Sequence, residues 1–262
     1  MLQKTFLHVP GLGAHTERSL WQQGCLSWRK YLDAPEDYSI GGSDRVLMAE
    51  TMAASESALS ERRHQYFSNA LGGRESWRAW PDFRKSCVYL DIETDGGDAG
   101  SSVTCVGLYD GSVFRCLIKD EDLHLFPDII SHYGMVVTFF GTGFDIPMLR
   151  RAFPGFTFDH IHLDLCHTLK RLGYRGGLKK IEKQLGIFRG EDTDGLSGMD
   201  AVRLWRQYLR GDDKSLDTLI AYNQEDVVNL ETLAAITYSK LERMTLTEAG
   251  LAHLLEGQES LF

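Results

Sequence analysis

Cys87-Val88-Tyr89-Leu90-Asp91-Ile92-Glu93-Thr94 is the stretch that decides how this 262-residue chain folds. Four apolar residues run directly into two acids spaced two apart. A short apolar run of this kind suits a buried strand. Side chains on a strand alternate between faces, so Asp91 and Glu93 project from the same side. Two like charges side by side at the end of an apolar strand repel, and burial adds to the penalty. A hard divalent cation would offset both effects, because Mg²⁺ and Mn²⁺ prefer carboxylate oxygen. The exposed end of an ordinary strand would account for the pair equally well.

Downstream, Val103 to Leu108 reads as a second strand and Val113 to Ile118 as a third. The Asp-Gly pair in Tyr109-Asp110-Gly111-Ser112 marks a hairpin between them. Residues 120–132 read as helical, Met135 to Phe140 as a buried strand, and Ile146 to Phe153 as a helix. Ile161-His162-Leu163 is a further short strand, and four helical segments follow. Three strands in a meander, then helix-strand-helix-strand, give an α/β fold with a mixed sheet and helices on both faces. Residues 1–82 read as a helical, polar N-terminal region, 83–241 as the α/β domain and 242–262 as a short helical tail. The boundary at Trp80-Pro81-Asp82 rests on the proline and the change of pattern.

Two further carboxylates stand out. Asp145 follows an apolar strand and a glycine-bearing turn in FGTGFDIPML at 140–149. A helix cap explains it as readily as a metal ligand does. In Tyr222-Asn223-Gln224-Glu225-Asp226 the tyrosine and the last aspartate are four apart, so they stack on one helical face. Leu219, Leu230 and Leu233 share that face. An aspartate on a face that packs toward the core needs a partner.

Acids in this order resemble those of the DEDD, or DnaQ-like, 3′→5′ exonucleases. Asp91 and Glu93 match the D-x-E first motif and Phe144-Asp145 the end of the second. Tyr222-x-x-x-Asp226 resembles the third motif of the tyrosine branch. FGTGFDIPML is similar to the second motif of family B polymerase proofreading domains, although Gly141 stands where those have asparagine. YLDIET, GGLKKIEKQLGI, AVRLWRQYL and YNQEDVVNL look most like the YprB-type domains, and this likeness covers about residues 83–241.

The resemblance implies a ribonuclease-H-like fold with a helical N-terminal extension. It also implies phosphodiester hydrolysis with two Mg²⁺ or Mn²⁺ ions. In that scheme Asp91 bridges both ions, Glu93 and Asp226 complete the first, and Asp145 acts through the second. Tyr222, with an ordinary pKa of ~10, orients the attacking water rather than deprotonating it. The implied substrate is single-stranded DNA or a frayed 3′ end. RNA exonuclease, structure-specific endonuclease and a non-catalytic nucleic-acid-binding module are the alternatives.

The rest of the sequence bounds this reading. Net charge is −9, which argues against a general nucleic-acid coat protein but not against an acidic metal site. Residues 170–189 carry seven basic residues against the single acid Glu182. Arg175, Lys179 and Lys180 there are candidate phosphate contacts, and a solvated helix face is the alternative. Asp164 reads as a helix cap, and His162 and His167 as structural. Val9-Pro10-Gly11-Leu12-Gly13 resembles the hairpin of helix-hairpin-helix modules, with an ordinary turn and helix start preferred. Trp77, Trp80 and Phe83 read as packing the N-terminal region against the domain behind it. Five scattered cysteines without C-x-x-C spacing suggest free thiols in a reducing cytoplasm. No apolar run reaches the ~18 residues of a membrane helix, and the N-terminal MLQKTFLHVPGLG, without a long apolar stretch after its basic residue, does not read as a signal peptide.

Overall fold

The odd and even positions of the first strand face two different cores. In this computed structural model, which describes residues 1–97, 101–190, 193 and 195–255, β1 spans Cys87–Thr94. Val88, Leu90 and Ile92 join one hydrophobic cluster, while Cys87 and Tyr89 join another. Asp91 and Glu93 continue the odd-numbered face. Strand alternation therefore fixes which layer of the molecule receives the two acids.

Five helices precede the sheet: α1 (Ala14–Gln22), α2 (Trp28–Asp33), α3 (Arg45–Ser60), α4 (His64–Glu75) and α5 (Trp80–Phe83). The segment before α1 contains only a short 3-10 turn, Leu2–Lys4, in place of a full first helix. Trp77, Trp80 and Phe83 are all buried. They lie in the same cluster as Met1, Phe6 and Trp28, and as Leu230 and Leu241. The N-terminal helices and the back of the sheet domain thus share one core.

β2 (Val103–Tyr109) and β3 (Phe114–Ile118) complete an antiparallel meander with β1. Asp110 closes the hairpin, its carboxylate accepting from the backbone N–H of Ser112 and Val113, and Gly111 takes φ +94°. After α6 (Phe126–Ile130), strand β4 (Met135–Thr138) pairs parallel with β1. After α7 (Asp145–Ala152), β5 (Ile161–Asp164) pairs parallel with β4. The sheet order is β3-β2-β1-β4-β5. α8 (Leu165–Arg171), α9 (Leu178–Gln184), α10 (Gly198–Tyr208) and α11 (Asp213–Glu248) follow. α11 packs on the odd-numbered face of β1, and Leu149 of α7 packs on the even-numbered face with Phe126 and Ile130. The mixed sheet flanked by helices that the sequence leads one to expect is the one observed.

Three details differ. The helix expected over 120–132 shrinks to a 3-10 turn and α6. Asp120 adopts φ +66°, and Asp122 accepts from the N–H of Ile118, which makes a turn there. β4 ends at Thr138, because Phe140 takes φ +67° and turns the chain out of the sheet. α11 runs unbroken through residue 241 to Glu248, since Leu241 and Leu246 keep its apolar face buried. The part of the expected tail beyond residue 255 lies outside the described residues.

Candidate active site

Two elements far apart in sequence deliver three carboxylates to one point. Asp91 and Glu93 come from the C-terminal end of β1, and Asp226 comes from the middle of α11. One carboxylate oxygen from each lies within 4.8 Å of the others. Glu93 and Asp226 are buried, and Asp91 is partly so.

Burial comes first among the causes that push the Asp91 and Glu93 carboxyls well above the usual range. The charges of Asp226 and Asp145 add to it. Asp226 is also raised by burial, against the pull of Arg189. Acids so placed have an unmet need for positive charge, and an all-carboxylate donor set suits Mg²⁺ or Mn²⁺.

Asp145 does not cap α7. It is the first residue of the helix, and Phe144 precedes it without a side-chain cap bond. It stands outside the close set of three, but its charge is felt by both acids of β1. Its side chain is buried, its Oδ1 has no partner, and desolvation pushes its carboxyl up to about 7. An orphaned buried carboxylate oxygen beside three other acids fits a second cation position.

Two residues to which the sequence assigns no site role, Asn223 and Arg189, hold the acids in place. Asn223 is fully buried and its Nδ2 donates to Asp91 Oδ2 at 3.0 Å. It crosses the sheet over Gly107, the cross-strand partner of Asp91. A Cβ at position 107 would sit 1.8 Å from Asn223 Oδ1, so only glycine leaves room. Arg189 forms a second clamp. It donates to both oxygens of the buried Glu182, at 2.7 and 2.9 Å, and lies 2.5 Å from Asp226 Oδ1. Asn229 donates to the same glutamate.

These contacts correct the picture of residues 170–189 as one surface patch. Arg189 and Glu182 are internal, with side chains 2% and 1% exposed. Lys179 turns inward too. Its Nζ donates to the Tyr222 hydroxyl at 2.9 Å and to the Leu196 carbonyl. Lys180 stays exposed and lines, with Lys179, Tyr222, Asp91 and Asp226, a cavity of about 320 Å³. Arg175 lines a different cavity, beside Tyr174 and Cys166.

Tyr222 is buried, and burial together with the charges of Asp226 and Glu93 raises its pKa. It therefore keeps its proton at neutral pH. Because its oxygen accepts from Lys179, its own O–H is left to donate.

Asp164 does cap α8, accepting from the N–H of Cys166. It does more than the sequence suggested: its carboxylate also accepts from the N–H of Phe140 and of Thr142, fixing the loop that leads to Asp145. His162 pairs with Thr138. A side chain at Gly141 would collide with Thr138, at 2.2 Å, which explains why asparagine has no room there.

A family model described as RNase_H superfamily matches residues 88–238. No curated protein matches the chain. Among solved structures, the chain is similar to the family B DNA polymerase from the hyperthermophilic archaeon Pyrobaculum calidifontis. That likeness has 13% identity and a TM-score of 0.47, and covers 62% of this chain and 25% of the polymerase. The chain is thus matched to about a quarter of the polymerase's length. It is also similar to the EXO domain of Aedes aegypti Nibbler, at 14% identity and a TM-score of 0.36, covering 68% of this chain and 87% of that one. Among the described residues, no helix is long and apolar enough to cross a membrane. The matched segment takes in the five-stranded sheet but for Cys87, all five candidate site residues and more than half of the chain, and the protein belongs to the RNase_H superfamily.

Proposed function

We propose that this protein is a metal-dependent 3′→5′ exonuclease of the tyrosine branch, related to the YprB-type domains and acting on single-stranded DNA or frayed 3′ ends. The observation that carries the reading is the convergence of Asp91, Glu93 and Asp226 within 4.8 Å. Asp145 faces them with an unpartnered oxygen. Asp91, Glu93, Asp145 and Asp226 would hold Mg²⁺ or Mn²⁺. Bound there, such ions supply Lewis-acid activation of the phosphodiester and of the attacking water.

The chain's own groups do the rest. Asn223 fixes the Asp91 carboxylate and Arg189 fixes that of Asp226. The Tyr222 O–H, free to donate, orients water or a phosphate oxygen at the mouth of the cavity. Lys179 and Lys180 face the same cavity and would draw in the phosphate backbone. Phe140 and Phe144 flank the loop before Asp145 and are 50% and 42% exposed. Such rings stack on unpaired bases, which favours a single strand. The 3′→5′ polarity follows the resemblance of the three motifs.

A panel of 5′-labelled DNA and RNA oligonucleotides, linear and circular, with Mg²⁺ or Mn²⁺ tests the reading. Linear strands should shorten from the 3′ end while the circle survives. Cleavage of the circle would overturn the exonuclease assignment, and no degradation of any strand would overturn the nuclease itself.

A further inference from the structure

A polar-rimmed space outside the acid cluster lies between the N-terminal region and the sheet. It is a cavity of about 690 Å³ between α4 on one side and β5 and α8 on the other. That volume is within the range of roughly 300–1,000 Å³ typical of small-ligand sites. Six of its fourteen lining residues precede residue 88 and lie outside the superfamily match.

Its charge is unbalanced. Arg74 and Arg171 both line it, and both reach one oxygen of Glu75 at 3.8 Å, too long for a hydrogen bond. The other Glu75 oxygen is taken by Arg78 at 2.7 Å. Glu17 also faces Arg78, while Asp164, the acid that lines the cavity, sits 3.6 Å from His167 Nε2. Three guanidiniums thus share two carboxylates. Burial lowers the Arg171 pKa, and neighbouring Arg74 and Arg78 lower it further against the pull of Glu75 and Glu248. An anion between Arg74 and Arg171 would relieve that crowding.

The floor is of another kind. Phe67, Ile161 and His160 lie beneath it, all of them buried. His160 is 3% exposed, and its Nε2 lies 3.0 Å from the Ile130 carbonyl. A carbonyl only accepts, so Nε2 carries the ring proton and Nδ1 presents a lone pair. Nδ1 is buried and has no hydrogen-bond partner.

One end of the cavity is Thr142, held by Asp164 and three residues before Asp145. The mouth on the α4 side is lined by Gly72 and Gly73, which place no side chain in it.

We propose that this cavity is a subsite for the substrate strand, with a backbone phosphate between Arg74 and Arg171. The assignment rests on the nuclease reading above. It adds that the N-terminal region forms part of the strand's path, so the protein engages a longer strand than its acid cluster alone.

Binding is measured by fluorescence anisotropy with oligo(dT) of about 4 to about 16 nucleotides, with Ca²⁺ replacing the catalytic ion. Hydrolysis of the p-nitrophenyl ester of thymidine 5′-monophosphate, with Mn²⁺, reports the acid cluster by itself. Arg74→Ala/Arg171→Ala should weaken the longest strand about tenfold or more, as loss of charged hydrogen bonds does. The shortest strand and the ester should be unaffected. Gly73→Leu, at a position where a Cβ meets nothing within 4 Å, should act the same way by filling the mouth. It guards against a folding defect from the arginine changes. Wild-type affinity of both variants at every length would overturn the subsite, as would an equal loss at all lengths. Absence of ester hydrolysis in the wild type, with the length-dependent loss intact, would count against the nuclease reading and leave the subsite standing.

Discussion

Arg189 and Asp226 form an ion pair of 2.5 Å with both side chains less than a tenth exposed, and the same guanidinium is held on its far side by the buried Glu182. A carboxylate proposed to bind metal is therefore tied to a fixed internal cation.

Removing the clamp leaves Glu182 buried and unpaired. Breaking one side of a buried pair costs about 3–5 kcal/mol. Arg189→Met should lower unfolding stability by that amount in urea titrations. Arg189→Met/Glu182→Leu should recover part of the loss. A change of less than about 1 kcal/mol in the single variant would show that the clamp is not structural.

Gly107 makes room for the side chain that orients Asp91. Gly107→Ala should lower stability by about 1–3 kcal/mol through overpacking, and should impair hydrolysis by displacing Asn223. Gly107→Ala/Asn223→Ala should be more stable than the sum of the two single changes, because the collision is gone. Strict additivity in that cycle would contradict the packing described here.

Stability of the metal-free protein should fall as pH rises. Unfolded carboxyls titrate near ~3.9–4.3, whereas Asp145 is raised to about 7. Between those values the folded protein holds more protons than the unfolded chain, so the slope of stability against pH is negative. Mg²⁺ or Mn²⁺ should raise Tm more at pH 8 than at pH 5.5, since protons and cations compete for the same oxygens. A metal-induced rise in Tm that is equal at both values would place the ion elsewhere.

Tyr222 and Asp226 should separate by severity. Tyr222→Phe removes one hydroxyl and should lower kcat about tenfold to a hundredfold, or roughly 1.4–2.7 kcal/mol of transition-state stabilisation. Asp226→Ala removes a metal ligand and should abolish turnover. Full activity in Asp226→Ala, measured by mononucleotide release, would remove α11 from the site.

The pattern of sequence and structure follows from what each residue depends on. The shared face of Asp91 and Glu93, and that of Tyr222 and Asp226, was legible because strand and helix periodicity fixes it, while their grouping as one site came from the resemblance of the motifs. The sheet order followed from the meander and the parallel crossovers. Asn223 was not legible. An asparagine inside a helix has no local signature, and its partner lies on a strand more than a hundred residues earlier. Glu182 and Arg189 were read as members of a charged stretch, because counting charge along the chain does not show which side chains turn inward. Asp164 was rightly a cap, but its two bonds to the 140–142 loop depend on the parallel pairing of β4 and β5. Lys179 joined Tyr222 only through the folding of α9 against α11.

The most direct measurement is mononucleotide release from a 3′-labelled single-stranded DNA oligonucleotide with Mn²⁺, comparing wild type with Asp91→Ala. The account predicts metal-dependent release by the wild type, abolished by EDTA and absent in Asp91→Ala, with the variant folded by circular dichroism. Equal release by the folded variant, or release that continues in EDTA, would contradict it.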